Sequence, residues 1–531
     1  MKFDSRRSNV RALNGMVATS QPLAAIAGLR MLMSGGSAVD AAVAAAATLN
    51  VVEPFSTGVG GDVFALVWSA EARKLYALNA SGRSSSDADA DALRSAGYDS
   101  IPDNSPYAVT VPGAVSGWQA LLDRFGNMEM SDVLRPAIDY AQNGYPVSEM
   151  VSFQWAGAES RLKQNHAGEE LLMRGRAPRA GEVMAMPTLA DTLRTIAYGG
   201  SDAFYRGHTA ERITAFVQER GGWLSAEDMA AHTPSWEEPI TTNYRGVDVW
   251  QCPPNNQGVN VLLALNIAEG FDIGAMGAQS ADRHHHLIET ARLALTDGMY
   301  HITDPAHMRA DIGMLTSKWY AGERRKSIHG DRAMDDVPVG LRRQDGDTVY
   351  ITCIDGAGNA CSLINSVFSD FGTGLVVPGT GIALQSRGAS FSLDPTHPNV
   401  LAPNKRPFHT LIPGMATRDG ELWLSYGVMG TVQQAQGQIQ VLSNLIDFGM
   451  SPQEALDSPR FSYRPLEGEV GLEPRIADNI ADDLRGRGHR IVITDSHPLY
   501  FGGGQVIARD AETGALTGGS EPRNDGCAVG W

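Results

Sequence analysis

The residues best placed to do chemistry in this 531-residue chain are Gly346-Asp347-Thr348-Val349-Tyr350. A Gly-Asp turn pair runs straight into the apolar, β-branched segment Thr348–Ile354, which reads as a strand opening on a threonine. In an intact chain that threonine is ordinary strand material. Cut before it, the chain would gain a catalyst. An N-terminal threonine carries its nucleophile, Oγ1, and its general base, the α-amine, on one residue. That amine has an unperturbed pKa of about 7.7–8.0, so it works near neutrality without a buried carboxylate.

Other arrangements are poorer. His284-His285-His286 with Glu289 has metal-ligand residue types, but consecutive helical side chains diverge by about 100°. Only His285 and Glu289 share a face, so a polar helix face is expected and no metal. Gly58-Val59-Gly60-Gly61 lacks dinucleotide spacing, and neither a Walker loop nor a serine elbow is present, so no cofactor is assigned.

The elements that must position the threonine are legible around it. Ser20, as cap, and Pro22 open a helix ending near Gly35-Gly36. A second helix runs from Ser37 to Val52 and stops at Pro54, and Phe64–Tyr76 reads as a hairpin. Helical patterns dominate to about Gly330, paired strands fill Asp347–Gln385, and helices return at Thr431–Phe448 and Ser451–Asp457. Strand patterns close the chain at Gln505–Arg509 and Cys527–Trp531. By periodicity alone this is an α+β protein.

The net charge of −17 and pI near 5.2 argue against nucleic-acid or anionic-membrane partners and leave small molecules. Cys252, Cys353, Cys361 and Cys527 fit no zinc or redox spacing and read as free thiols. The start, through Arg6-Arg7, has no apolar core to make a secretion signal, and the apolar run Ala41–Val52 is too short to span a bilayer. Together these point to a cytoplasmic enzyme.

The segment around Thr348 resembles the start of the small subunit in the γ-glutamyltransferase (γ-glutamyltranspeptidase) family of N-terminal-nucleophile hydrolases. The resemblance runs through Asp355-Gly356-Ala357-Gly358-Asn359-Ala360, Ser366, Phe371-Gly372-Thr373-Gly374, Pro403-Asn404-Lys405-Arg406-Pro407 and Gly427-Val428-Met429-Gly430. Gly35–Ala42, Gly58–Asp62, Gly82-Arg83 and Val111–Gly117 match in the same order. It implies a four-layer αββα sandwich, self-cleavage between Asp347 and Thr348, and two subunits, 1–347 and 348–531. These would form one intertwined domain, alone or as a dimer of such pairs. It implies Ser366 as the hydroxyl orienting the nucleophile, with Asn365 beside it among the substrate contacts. Gly430 and Thr431 stand where the family places two oxyanion-hole glycine amides, and Arg83 where it grips a substrate carboxylate.

The departures bear on substrate. The Gln and Asp that recognise a γ-glutamyl ammonium read Arg387 and Ser390, a Ser-Ser pair reads His409-Thr410, and a substrate-contacting Asn reads Phe368. A cation has appeared where an ammonium's partner is gone. The Arg387-Gly388-Ala389-Ser390-Phe391 block looks like the oxamate amidohydrolase branch and related acylases. Three readings follow: an amidohydrolase for oxamate-like or glutaryl-like amides, a γ-glutamyl transferase or glutathione hydrolase, and a non-catalytic binding relative. Thr348 and Ser366 speak against the third.

Overall fold

The computed structural model describes residues 7–334, 337, 347–494 and 498–531; Met1 to Arg6, Gly346 and the side chain of Asp347 lie outside the described residues. Two seven-stranded antiparallel sheets stack face to face. The first runs Cys527–Gly530, Gly15–Thr19, Asp347–Asp355, Ala360–Phe368, Asp62–Ser69, Lys74–Ala80, Ser235–Glu237. The second runs Val10–Ala12, Leu516–Ser520, Gly503–Arg509, Glu421–Met429, Gly414–Arg418, Val247–Gln251, Ile240–Tyr244. Strands from before and after Thr348 interleave in both sheets, so neither part has a core of its own.

Alternation along Asp347–Asp355 separates the layers. Val349, Ile351 and Cys353 join an apolar core with the helices Pro22–Met33, Ala38–Val52 and Ala114–Phe125. Tyr350 and Ile354 turn the other way, into an inter-sheet core with Met16, Phe64, Met415 and Ile507. On the far face of the second sheet, Gly258–Ala268, Ala281–His301 and Gln433–Ile446 cover a third core. The architecture is therefore the expected αββα sandwich.

The sheets touch closely where the site lies. Thr352 Oγ1 donates to Ser425 Oγ across the gap at 2.6 Å. The Tyr350 ring lies over Gly427, where a Cβ would come within 2.4 Å of it, so only glycine fits. The next two-residue step carries Thr348 towards Met429-Gly430.

Three local expectations change. The first helix, Pro22–Met33, is capped by Gln21, whose Oε1 accepts from the amides of Leu23 and Ala24. Ser20 Oγ instead donates to Glu53. The helix expected from Thr431 begins at Gln433, because Gly430 and Thr431 adopt φ of +116° and +42°, which no α-helix accommodates. His284, His285 and His286 are buried, not a polar face: His285 Nδ1 bonds His489 Nε2 at 2.8 Å and its Nε2 donates to the His329 carbonyl. Among the described residues no group of three metal-ligating side chains occurs, and no helix is long and apolar enough to cross a membrane. All four cysteines are free, Cys527 half-buried and the others buried.

Candidate active site

Thr348 is 1 % exposed, at the end of a central strand of the first sheet, and its Oγ1 donates to Ser366 Oγ at 3.2 Å. The pairing Asp347↔Phe368 shifts to Val349↔Asn365, so one residue, Thr348, faces two, Ser366 and Val367. This bulge kinks the Ala360–Phe368 strand and aims Ser366 at the threonine. Phe368, at φ +82°, closes the kink, and its amide donates to Ser366 Oγ at 2.8 Å. Asp62 pairs with Ser366 on the next strand, so Thr348, Ser366 and Asp62 form a polar row.

Across the inter-sheet gap, the Gly430-Thr431 turn links Glu421–Met429 to the helix Gln433–Ile446. A β-branched residue at φ +42° is strained and needs external fixing. Gln257 provides it: its Nε2 donates to the Thr431 carbonyl at 3.0 Å and to the Thr410 carbonyl at 2.9 Å. Among the described residues the amides of Gly430 and Thr431 have no protein acceptor.

The third part of the site is a buried cation. Arg387 opens the short turn Arg387–Ser390 and is 0 % exposed. Its Nη1 donates to Thr410 Oγ1 at 2.8 Å, and its guanidinium stacks 4.3 Å from the Phe368 ring centre. Its Nε and Nη2 have no acceptor, and the neighbouring Ser390 Oγ, Gln385 Oε1 and Thr110 Oγ1 are likewise buried without partners. Native interiors rarely leave such groups unsatisfied. Burial lowers Arg387 to about 9, opposed by the nearby Asp62 charge. Burial raises Asp62 to about 6 against the pull of Arg387 and its hydrogen bonds.

The other sequence candidates divide. His409 Nδ1 accepts from the Leu411 amide at 3.3 Å, so its Nε2–H is the donor to Asp62 Oδ2 at 3.1 Å. Arg83 lies on the rim, its side chain 45 % exposed, with Nη1 on Asp304 Oδ2 at 2.7 Å and on the Asn404 carbonyl at 3.0 Å. Asn365 is not brought to the others. It faces the helices, donating to the Asp62 carbonyl at 3.0 Å and accepting from Asn50 at 3.4 Å. Sequence reasoning missed Asp62, Gln257, Gln385 and Thr110. For Asp62 a signal existed: one carboxylate heading an otherwise apolar strand, straight after Gly60-Gly61.

The family model described as gamma-glutamyltranspeptidase matches residues 24–531. The chain is 38 % identical over 521 residues to a glutathione hydrolase-like proenzyme of Bacillus subtilis, covering 97 % of this chain and 98 % of that protein. It is 35 % identical over 535 residues to the oxamate amidohydrolase proenzyme of Klebsiella pneumoniae, covering 99 % of each. Among solved structures, cephalosporin acylase from Bacillus halodurans superposes with a TM-score of 0.94 at 44 % identity, over 100 % of this chain and 98 % of that one.

Proposed function

The chain belongs to the gamma-glutamyltranspeptidase family, and from that premise we propose that it cuts itself before Thr348 and then hydrolyses small amides whose acyl part carries a carboxylate and no α-amine. It is an amide hydrolase of that family; the acyl preference and the residue roles are the new reading. In maturation, Thr348 Oγ1 attacks the Asp347 carbonyl carbon, the peptide C–N bond breaks, and the nitrogen stays on Thr348 as its α-amine. Water then cleaves the ester, leaving Asp347 as a carboxylate. The interleaved strands keep the two chains together.

In turnover the α-amine takes the Oγ1 proton as Oγ1 attacks the substrate carbonyl. Ser366 orients Oγ1. The oxyanion meets the amides of Gly430 and Thr431, which have no other acceptor to leave. The proton passes to the leaving amine, and water hydrolyses the acyl ester. Arg387 Nε and Nη2 receive the acyl carboxylate, with Thr410 holding the third guanidinium nitrogen.

The observation that carries the acyl preference is Arg387: a fully buried cation with two unpartnered nitrogens, beside a serine where an ammonium would need an acid. The relatives' names span glutathione, oxamate and cephalosporin and do not choose. The test compares kcat/KM for oxamate, glutaryl-p-nitroanilide and γ-glutamyl-p-nitroanilide on processed enzyme. One of the amine-free acids should lead; a clear win for the γ-glutamyl compound replaces this reading with a γ-glutamyl transferase or glutathione hydrolase.

A further inference from the structure

One buried carboxylate touches every segment that carries a substrate-binding candidate. Asp62 Oδ1 accepts from the Gly82 amide, the Gly113 amide and Gln385 Nε2, each at 3.1 Å. Oδ2 accepts from His409 Nε2, also at 3.1 Å. Gly82 precedes Arg83, Gln385 lies two residues before Arg387, and His409 precedes Thr410, the acceptor of Arg387 Nη1. Asp62 is itself fixed on the first sheet, paired with Ser366, and the His409 ring packs 4.8 Å from Phe64 on the same strand.

We propose that Asp62, acting through His409 and Gln385, is the positioning residue that holds Arg387 in register with Thr348 and thereby sets selectivity for carboxylate-bearing acyl groups. The proposal rests on the reading of Arg387 as the carboxylate site. All four groups around the carboxylate are donors, so only an ionised acceptor satisfies them. The carboxylate also balances the Arg387 charge in a site sealed from water. Its reach explains the arrangement: one strand sets the positions of four loops at once, and selectivity sites need such rigidity.

Asp62→Asn discriminates well. The amide oxygen still serves Gly82, Gly113 and Gln385, but the amide nitrogen meets the His409 Nε2–H donor to donor. His409 cannot switch tautomer, because its Nδ1 already accepts from Leu411. The readout is kcat/KM for an amide with a carboxylate-bearing acyl group divided by that for its neutral, same-sized analogue, normalised to processed small subunit. Asp62→Asn should lower that ratio about tenfold or more, mainly through KM for the acid. His409→Leu should lower it similarly, and His409→Gln, which can keep both hydrogen bonds, should restore most of it. In an Arg387→Met background, adding Asp62→Asn should leave the ratio where Arg387→Met put it.

A merely structural role would depress both substrates equally, and an unchanged ratio in Asp62→Asn, or in His409→Leu should the former not fold, overturns the proposal. If the wild type shows no preference for the acid, the reading of Arg387 falls and takes this one with it. If the wild type prefers the acid and neither variant disturbs that, only Asp62 is excluded.

Discussion

Arg387 and Arg83 begin as equals, two arginines in motif positions that both suit a carboxylate, and the fold treats them oppositely. Arg83 stands half in water and already holds Asp304, which also accepts from the Arg406 amide. Arg387 has no exposure, no bonded carboxylate and two idle nitrogens. Water competes for the Arg83 end of its pair, while Asp304 is buried and keeps the Arg406 amide, so the pair contributes about 0–1 kcal/mol. A buried cation with unmet donors is costly until a ligand completes it. On the proposed reading, selectivity belongs to Arg387, where hydrogen bonds are missing, and not to Arg83, whose bonds are already made.

The comparison has meaning only if the acyl group lands on Thr348, and that is the most drastic way to break it. Thr348→Ala should leave a single uncut chain by intact mass and lower amide turnover by about 10⁴-fold or more, since one oxygen serves both steps. Thr348→Ser should keep part of each. An alanine variant that still turns over amides would place the nucleophile elsewhere and remove the reason to weigh the arginines at all.

The two arginines can next be set against each other. Arg387→Met should cut kcat/KM for a carboxylate-bearing amide by about 2–5 kcal/mol, or about 30-fold to several thousand-fold. Arg83→Met should cost about 0–1 kcal/mol, or up to about fivefold. Equal losses would show that substrate binding draws Arg83 away from Asp304 and into the pocket.

What the sequence disclosed follows the same division between local and distant partners. Elements set by neighbouring residues were legible: the helix read from Ser37 to Val52 is found at Ala38–Val52, where Ser37 and Asp40 close a capping box, and the pattern from Phe64 to Tyr76 gives the hairpin. Thr348 and Ser366 sit in strands whose order the family motifs preserve. The resemblance pointed to Arg83 and Arg387 together, but their difference is made by partners far along the chain. Asp62 meets His409, 347 residues later. The apolar strand that Asp62 heads is a local sign of burial, but nothing near it in sequence names the partner it meets. Ser20 and Thr431 failed for a similar reason. Glu53 draws Ser20 out of its cap, and the carbonyl grip of Gln257 accompanies Thr431 in a left-handed conformation that sequence propensity disfavours.

A smaller change should tilt the pocket rather than empty it. Ser390 Oγ is buried and unpartnered on the Arg387 turn. Ser390→Asp would give Arg387 an internal carboxylate and offer a partner to an ammonium. Turnover of γ-glutamyl-p-nitroanilide should rise and that of the amine-free acids fall, each by about tenfold, the scale of one partly desolvated charge contact of about 1.4 kcal/mol. A fall in both would mean that Ser390 only packs the turn and does not face the acyl group.

The mildest test needs no mutation, because pH acts on the buried side of the comparison. Burial lifts the Asp62 carboxyl to about 6 in the folded protein, while its unfolded value stays near the ordinary 3.8. Below about 6 it takes a proton. Every neighbour of that carboxyl is a donor, so the new O–H at Oδ2 opposes the His409 Nε2–H and the hold on Thr410 and Arg387 weakens. The ratio of kcat/KM for an acid-bearing acyl amide to its neutral analogue should therefore fall severalfold as pH drops through about 6. Protonation of the Thr348 α-amine, at about 7.7–8.0 when unperturbed, slows both substrates alike and cancels in the ratio. Stability moves the other way. Over the window from about 4 to about 6 the folded state holds a proton that the unfolded state releases, so the Asp62 contribution to stability is greatest below about 4. It declines as pH rises to about 6, by on the order of 3 kcal/mol, and is level above that. The difference in Tm between wild type and Asp62→Asn should accordingly shift in favour of wild type as pH falls, while selectivity is being lost. A selectivity ratio flat from pH 8 to pH 5 would detach Asp62 from Arg387 and leave the burial of Arg387 alone to account for the preference.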